Sequence, residues 1–222
     1  MSRYTEQTVA DVRAMIPQFI SGKRLAHTEA VERECCVLGA CFSAHPTLFC
    51  EEDVMRLRIA ALLHDITKER STEEHARLCA QFSVPLSDME LRAPKVLHAK
   101  SAPPLARRTV NEALGAYIVD DAICDAIRTH TTGGEHMSLM GKLLYLADYI
   151  EDTRTFDDCV ALRRHFYEEL DAVRHDGNAL CAHLDQTLLM SFDMTIRDLL
   201  SHGAPIDPNT TAARNALLFS RS

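Results

Sequence analysis

The chain has 222 residues, 46% hydrophobic and 25% charged, the make-up of one globular domain that can bury a full core without a disulfide or metal staple. Eight glycines and eight prolines are too few for a turn-rich all-β fold. The net charge of -8 argues against broad electrostatic contact with a nucleic acid polymer or an anionic membrane, whereas a small phosphorylated ligand needs only local positive charge.

Eight cysteines form no C-x-x-C pair, and most fall in helical patterns as small hydrophobes, so reduced thiols and a cytoplasmic location are expected. The polar start, Met1 to Glu6, is unlike a signal peptide, and no apolar run is long enough for a membrane span.

Residues 5–20 read as an amphipathic helix with Val9, Val12, Ile16 and Ile20 apolar, kinked by Pro17 and ended by Ser21-Gly22. Over residues 24–44, Val31, Cys35, Leu38 and Phe42 form a stripe at helical spacing, and His27, four residues before Val31, lies on it. After the His45-Pro46 break, residues 51–69 read as a helix whose apolar run, Ile59 to Leu63, leads into His64-Asp65 and then Lys68. A helix this apolar is normally buried, and an imidazole and a carboxylate at its end are costly to bury unless something satisfies them. A metal ion satisfies both.

Ser71-Thr72-Glu73-Glu74 starts a helix to about residue 82. Pro85 and Ser87-Asp88 start another toward Leu97-His98, with Pro94 a break inside it, and Pro103-Pro104 marks a further break or a helix start near residue 105. From residue 119 to 130, Val119, Ala122, Ile123, Ala126, Ile127 and His130 share one face, and Thr131-Thr132-Gly133-Gly134 ends the helix. Residues 138–150 are apolar nearly all round, with Asp148 the one carboxylate before Glu151. The remainder, 156–222, reads as three helices broken near Asp176-Gly177 and His202 to Pro205.

A lone histidine on an apolar face is more often a satisfied core residue than a ligand, and that applies to His27 and to His130 separately. Asp148 carries more weight, because an unpaired Asp in a buried helix is rare; its plain alternative is a helix-helix ion pair. The joint pattern decides: His27, His64-Asp65 and Asp148 sit on buried faces of separate helices. The set suits a first-row metal. We read His27, His64, Asp65 and Asp148 as ligands of one ion and His98 and His130 as ligands of a second, about 3.5–4 Å away and bridged by Asp65. Lys68, four residues after His64, is as compatible with a solvated lysine as with a phosphate contact. Thr131 and Thr132 are candidate phosphate donors or simple helix punctuation, and Arg154 is a candidate phosphate fork or a surface arginine. There is no G-x-x-x-x-G-K-[ST] loop and no G-x-S-x-G elbow.

Four blocks carry a resemblance: Arg24-Leu25-Ala26-His27-Thr28, Ala60 through Lys68, Ala126 through Gly133, and Leu144 through Glu151. In this order they resemble the HD-domain metal phosphohydrolases, and within them the YqeK-type symmetrical bis(5'-nucleosyl)-tetraphosphatases. The resemblance covers roughly residues 22–154 and implies an all-α HD-domain helical bundle; the expected organisation is residues 1–154 as that domain with its N-terminal helix and residues 155–222 as a C-terminal helical extension packed on it. It implies a di-iron-type centre on His27, His64, Asp65, His98, His130 and Asp148, although such ligands also accept manganese, cobalt or zinc. It implies symmetrical hydrolysis of diadenosine tetraphosphate to two ADP. The mechanism expected on the residues themselves is attack by a hydroxide bridging the metals, with Asp65 and Lys68 catalytic and Lys68, Thr131, Thr132 and Arg154 on the substrate. Other readings are an HD phosphohydrolase of another nucleotide or cyclic dinucleotide, and a metal-bearing nucleotide sensor without turnover. The expected partner is a small nucleotide, with no nucleic acid polymer and no membrane; a homodimer is left open.

Overall fold

The computed structural model describes residues 2–220, and helix is the one regular secondary structure among them. The α-helices are α1 (Glu6–Met15), α2 (Gly22–Ser43), α3 (Glu51–Leu63), α4 (Thr72–Gln81), α5 (Asp88–Arg92), α6 (His98–Leu114), α7 (Asp121–Thr129), α8 (Leu139–Ile150), α9 (Asp157–Val173), α10 (Gly177–Ser201) and α11 (Pro208–Phe219). The all-α expectation holds.

Helix α3 is the hub. It touches α1, α2, α6, α7 and α8, and Ile59 through Leu63 are wholly buried. Few helices can be enclosed on every side; an apolar run without a wet face requires it. Around this hub α2 packs on α8 and α7 packs on both α6 and α8. The last three helices lie against one another in sequence, α9 on α10 and α10 on α11, and meet the bundle through α8. Side-chain caps set several of the starts: Ser71 accepts from the Glu74 N–H within a reciprocal capping box, and Asp120 and Ser138 accept from the Ile123 and Gly141 N–H groups.

Several boundaries differ from expectation. The first helix stops at Met15, and Pro17 sits in a 3-10 turn, Ile16–Gln18. Ser21-Gly22 begins α2 rather than ending α1: Gly22, at φ +52, lets the chain turn directly into the next helix. Helix α3 ends at Leu63, and residues 64–69 form consecutive turns held by Lys68 N–H to Asp65 O (2.9 Å) and Arg70 N–H to Thr67 O (3.0 Å). Helix α5 ends at Arg92 and a 3-10 turn, Pro94–Val96, follows it, as the proline break required.

The largest difference is α6, which runs through Pro103 and Pro104. Neither ring has an N–H to give to the carbonyl four residues back, so helix bonding alone would have ended there. Tertiary contacts hold the segment instead. Ser101 Oγ donates to Thr67 Oγ1 (2.9 Å) and sits 2.8 Å from His75 Nδ1, while Ala102, Pro103, Leu105 and Ala106 are buried. No helix among the described residues is long and apolar enough to cross a membrane.

Candidate metal centre

Five elements deliver six side chains to one point. His27 comes from the second turn of α2, His64 and Asp65 from the turn after α3, His98 from the start of α6, His130 from the end of α7 and Asp148 from α8. All but Asp148 are buried, and the Asp148 side chain is 18% exposed.

Asp65 divides its carboxylate between two histidine pairs. Oδ2 lies 3.5 Å from His64 Nε2 and 3.8 Å from His27 Nε2. Oδ1 lies 3.2 Å from His98 Nε2 and 3.7 Å from His130 Nε2. Asp148 Oδ1 closes the first pair, 3.0 Å from His27 Nε2 and 3.9 Å from His64 Nε2.

The far side of each ring is also placed. His64 Nδ1 donates to Ala61 O and His130 Nδ1 to Ile127 O, both at 2.6 Å, so each helix's own backbone turns its Nε2 inward. His27 Nδ1 is 3.0 Å from Glu151 Oε1, and Glu151 is fully buried and also accepts from Thr153 N–H (2.6 Å) and Oγ1 (2.8 Å).

Electrostatics follow from this packing. Burial opposes ionisation of Asp65 and Asp148, but His64 and His130 around the first, and His27 and Arg154 around the second, hold both carboxyls well below their ordinary range. Burial, helped by Lys68, holds His98 well below the usual imidazole value, and burial lowers His130. For His27 burial is outweighed by Asp148 and Glu151, which raise it to about 9.

The residues fit a metal by a direct criterion. His27 Nε2, His64 Nε2 and Asp65 Oδ1 are buried without a hydrogen-bond partner, an arrangement native interiors avoid unless a ligand or ion completes it. Three overlapping groups place their ligand atoms within 4.8 Å of one another: His27, His64 and Asp65; His64, His130 and Asp148; Asp65, His98 and His130.

Lys68 also reaches the centre, by the turn after α3 and not along a helix face; its Nζ is 3.2 and 3.0 Å from the two ring nitrogens of His98. Thr131 Oγ1 lies 3.0 Å from both His98 Nε2 and His130 Nε2. Arg154 grips Asp148, Nη2 to Oδ1 at 2.7 Å and Nε to the backbone oxygen at 3.0 Å. Thr132 is not brought in: its hydroxyl donates to Gly133 O and it lines a separate small cavity with Lys100 and Arg128, because adjacent residues of a turn point apart.

Two participants escaped the sequence reading. Arg24 Nη1 bonds Asp65 Oδ2 at 2.7 Å, and Glu151 backs His27. Each stands three residues from a candidate ligand, Arg24 before His27 and Glu151 after Asp148, so helical spacing contained the signal. Arg24 and Arg154, 29% and 31% exposed, mark the open side of the centre.

The HD-domain family model matches residues 24–153. The symmetrical bis(5'-nucleosyl)-tetraphosphatase of Bacillus subtilis is 30% identical over 205 residues, 92% of this chain and 95% of that protein. The protein of the same name from Halalkalibacterium halodurans is 28% identical over 207 residues, 93% of this chain and 95% of its own. Among solved structures, a Clostridium acetobutylicum protein described as a predicted HD superfamily hydrolase involved in NAD metabolism superposes with a TM-score of 0.76 at 30% identity, over all of both chains.

Proposed function

Because the chain belongs to the HD-domain family, we propose that it is a metal-dependent phosphohydrolase that cuts dinucleoside tetraphosphates at the centre, releasing two ADP from diadenosine tetraphosphate. One observation carries the reading: Asp65 faces one histidine pair with each of its oxygens, the geometry of a carboxylate that spans two cations. The relatives from Bacillus and Halalkalibacterium support the substrate class through their names.

A pair of first-row ions, iron before manganese, cobalt or zinc, lowers the pKa of water from about 15.7 toward about 7 and draws charge from phosphoryl oxygens when bound there. His27, His64, Asp65 and Asp148 would hold one ion and Asp65, His98 and His130 the other. The remaining steps belong to the chain's own side chains. Lys68, Arg24 and Arg154 ring the open side and present three cationic heads to a polyphosphate, and the two guanidiniums can each fork two phosphate oxygens. Thr131 supplies a hydroxyl donor beside His98 and His130. A nucleoside diphosphate leaves as a stable anion, so no strong general acid is needed at the far side. Residues 155–222 complete the same domain in this reading, since α9 and α10 rest on α8 next to the ligand Asp148.

The test is product analysis by anion-exchange chromatography with diadenosine tetraphosphate and added metal. Two ADP supports the proposal; AMP with ATP, or no turnover under any first-row metal, overturns it. The Clostridium protein's description favours a second reading, hydrolysis of a nicotinamide dinucleotide. The same assay with NAD separates the two, since that reaction yields AMP and the nicotinamide mononucleotide.

A further inference from the structure

Resting on the two-ion reading above, we infer that the two metal positions are unequal by construction: the one at His27, His64, Asp65 and Asp148 fills first, and Lys68 keeps the one at Asp65, His98 and His130 weak until an anion draws its ammonium away.

The first position has two carboxylates aimed at it, Asp65 Oδ2 and Asp148 Oδ1. Behind His27 stands the buried Glu151, and an anionic hydrogen-bond acceptor makes an imidazole a stronger ligand. His64 closes the C-terminal end of α3, where the helix's partial negative charge favours a cation. Arg24 and Arg154 also approach this side, but about a third of each side chain is exposed, and both can turn outward.

The second position shares Asp65 and has no carboxylate of its own. Lys68 Nζ stands within 3.2 Å of both ring nitrogens of His98, a full positive charge against one of its three ligands. His98 is the first residue of the 17-residue α6, the positive end of that helix dipole. His130 closes the C-terminal end of α7 as His64 closes that of α3, so those two helix ends cancel; Asp148 and Glu151 on the first side and Lys68 on the second make the difference once Arg24 and Arg154 turn outward. In the reading above Lys68 is also one of the cationic heads that meet a substrate phosphate. Once paired with phosphate, its charge no longer opposes the second ion, so anion and second ion help each other bind, and that coupling is reciprocal.

The experiment titrates metal-stripped full-length protein with cobalt(II), without nucleotide, by calorimetry, with metal per chain read after equilibrium dialysis. The wild type should take two ions in two steps separated by at least about tenfold, the scale of one partly screened charge at this range. Lys68→Met should tighten the second step by about tenfold and leave the first; Lys68→Arg, which keeps the charge, should leave both. Glu151→Gln should weaken the first step by about 10–100-fold and bring the two together. Adding inorganic phosphate should tighten the second step in the wild type more than in Lys68→Met. Two equal steps in the wild type, or a second step that Lys68→Met does not move, overturn the inequality while leaving a two-ion centre. One ion per chain at saturation overturns the two-ion reading itself.

Discussion

Asp65 is where one substitution has the widest reach, because its two carboxylate oxygens face the two histidine pairs separately. Asp65→Ala should abolish bound metal and turnover together, a loss beyond the ~10–100-fold typical of an outer-shell change; metal analysis and steady-state rates on the same sample check it, and retained activity would count against the metal reading. Arg154→Lys keeps the charge but loses the fork, so it should raise KM with metal content unchanged, by about tenfold if one charge-assisted contact is lost. At this scale the sequence was legible wherever a titratable group interrupted an apolar stripe, as at His27, His130 and Asp148. It was less legible for Arg24 and Glu151: each stands one helical turn from a candidate ligand, but the partner each takes, Asp65 or His27, is remote in sequence and set by the fold. Thr132 stands apart from its neighbour Thr131: the turn sends its hydroxyl to Gly133 O, away from the histidines.

At the scale of elements, the junctions are the sensitive places. Gly133, at φ +70, lies within the loop between α7 and α8, against the C-terminal helices; a Cβ there would meet Phe192 Cζ at 2.6 Å and Ala213 Cβ at 2.7 Å. Gly133→Ala combines left-handed strain with overpacking and should cost about 2–4 kcal/mol, read as a fall in Tm of roughly 5–15 °C. Asp120 caps α7 and also accepts from Tyr4 Oη at 2.6 Å and from Arg56 Nε at 3.0 Å, tying the chain's start to the far side of α3. Burial opposes its ionisation, but Tyr4, the Ile123 N–H and Arg56 outweigh burial and hold its pKa below the ordinary value. A depressed carboxyl stabilises the fold above the unfolded value near 3.9, and that stability is lost as pH falls through the folded pKa. Asp120→Asn should therefore cost about 1–2 kcal/mol near pH 7 and progressively less below pH ~4, measured by urea unfolding across pH. Most helices were legible from apolar spacing and caps. Helix α6 was not, since two prolines signal a stop, and the buried contacts of Ser101 and Ala102 that override it join residues far apart in sequence.

For the molecule as a whole, the centre and the fold should stabilise each other. Ions that bind the folded chain and not the unfolded one add about 2.7 kcal/mol when present at a hundred times Kd, so chelation should lower Tm and readdition of manganese or cobalt should restore it; an unchanged Tm would mean that the histidines and aspartates are satisfied without metal. The six candidate ligands are spread from residue 27 to residue 148, on elements that meet only when α2, α3, α6, α7 and α8 have all packed. A chain still emerging from the ribosome cannot close the pocket until α8 has been made, since Asp148 is the last ligand to appear. On the two-ion reading the first ion would wait for α2, α3 and α8 to meet and the second for α6 and α7, so a fully loaded centre would report that these five helices have packed.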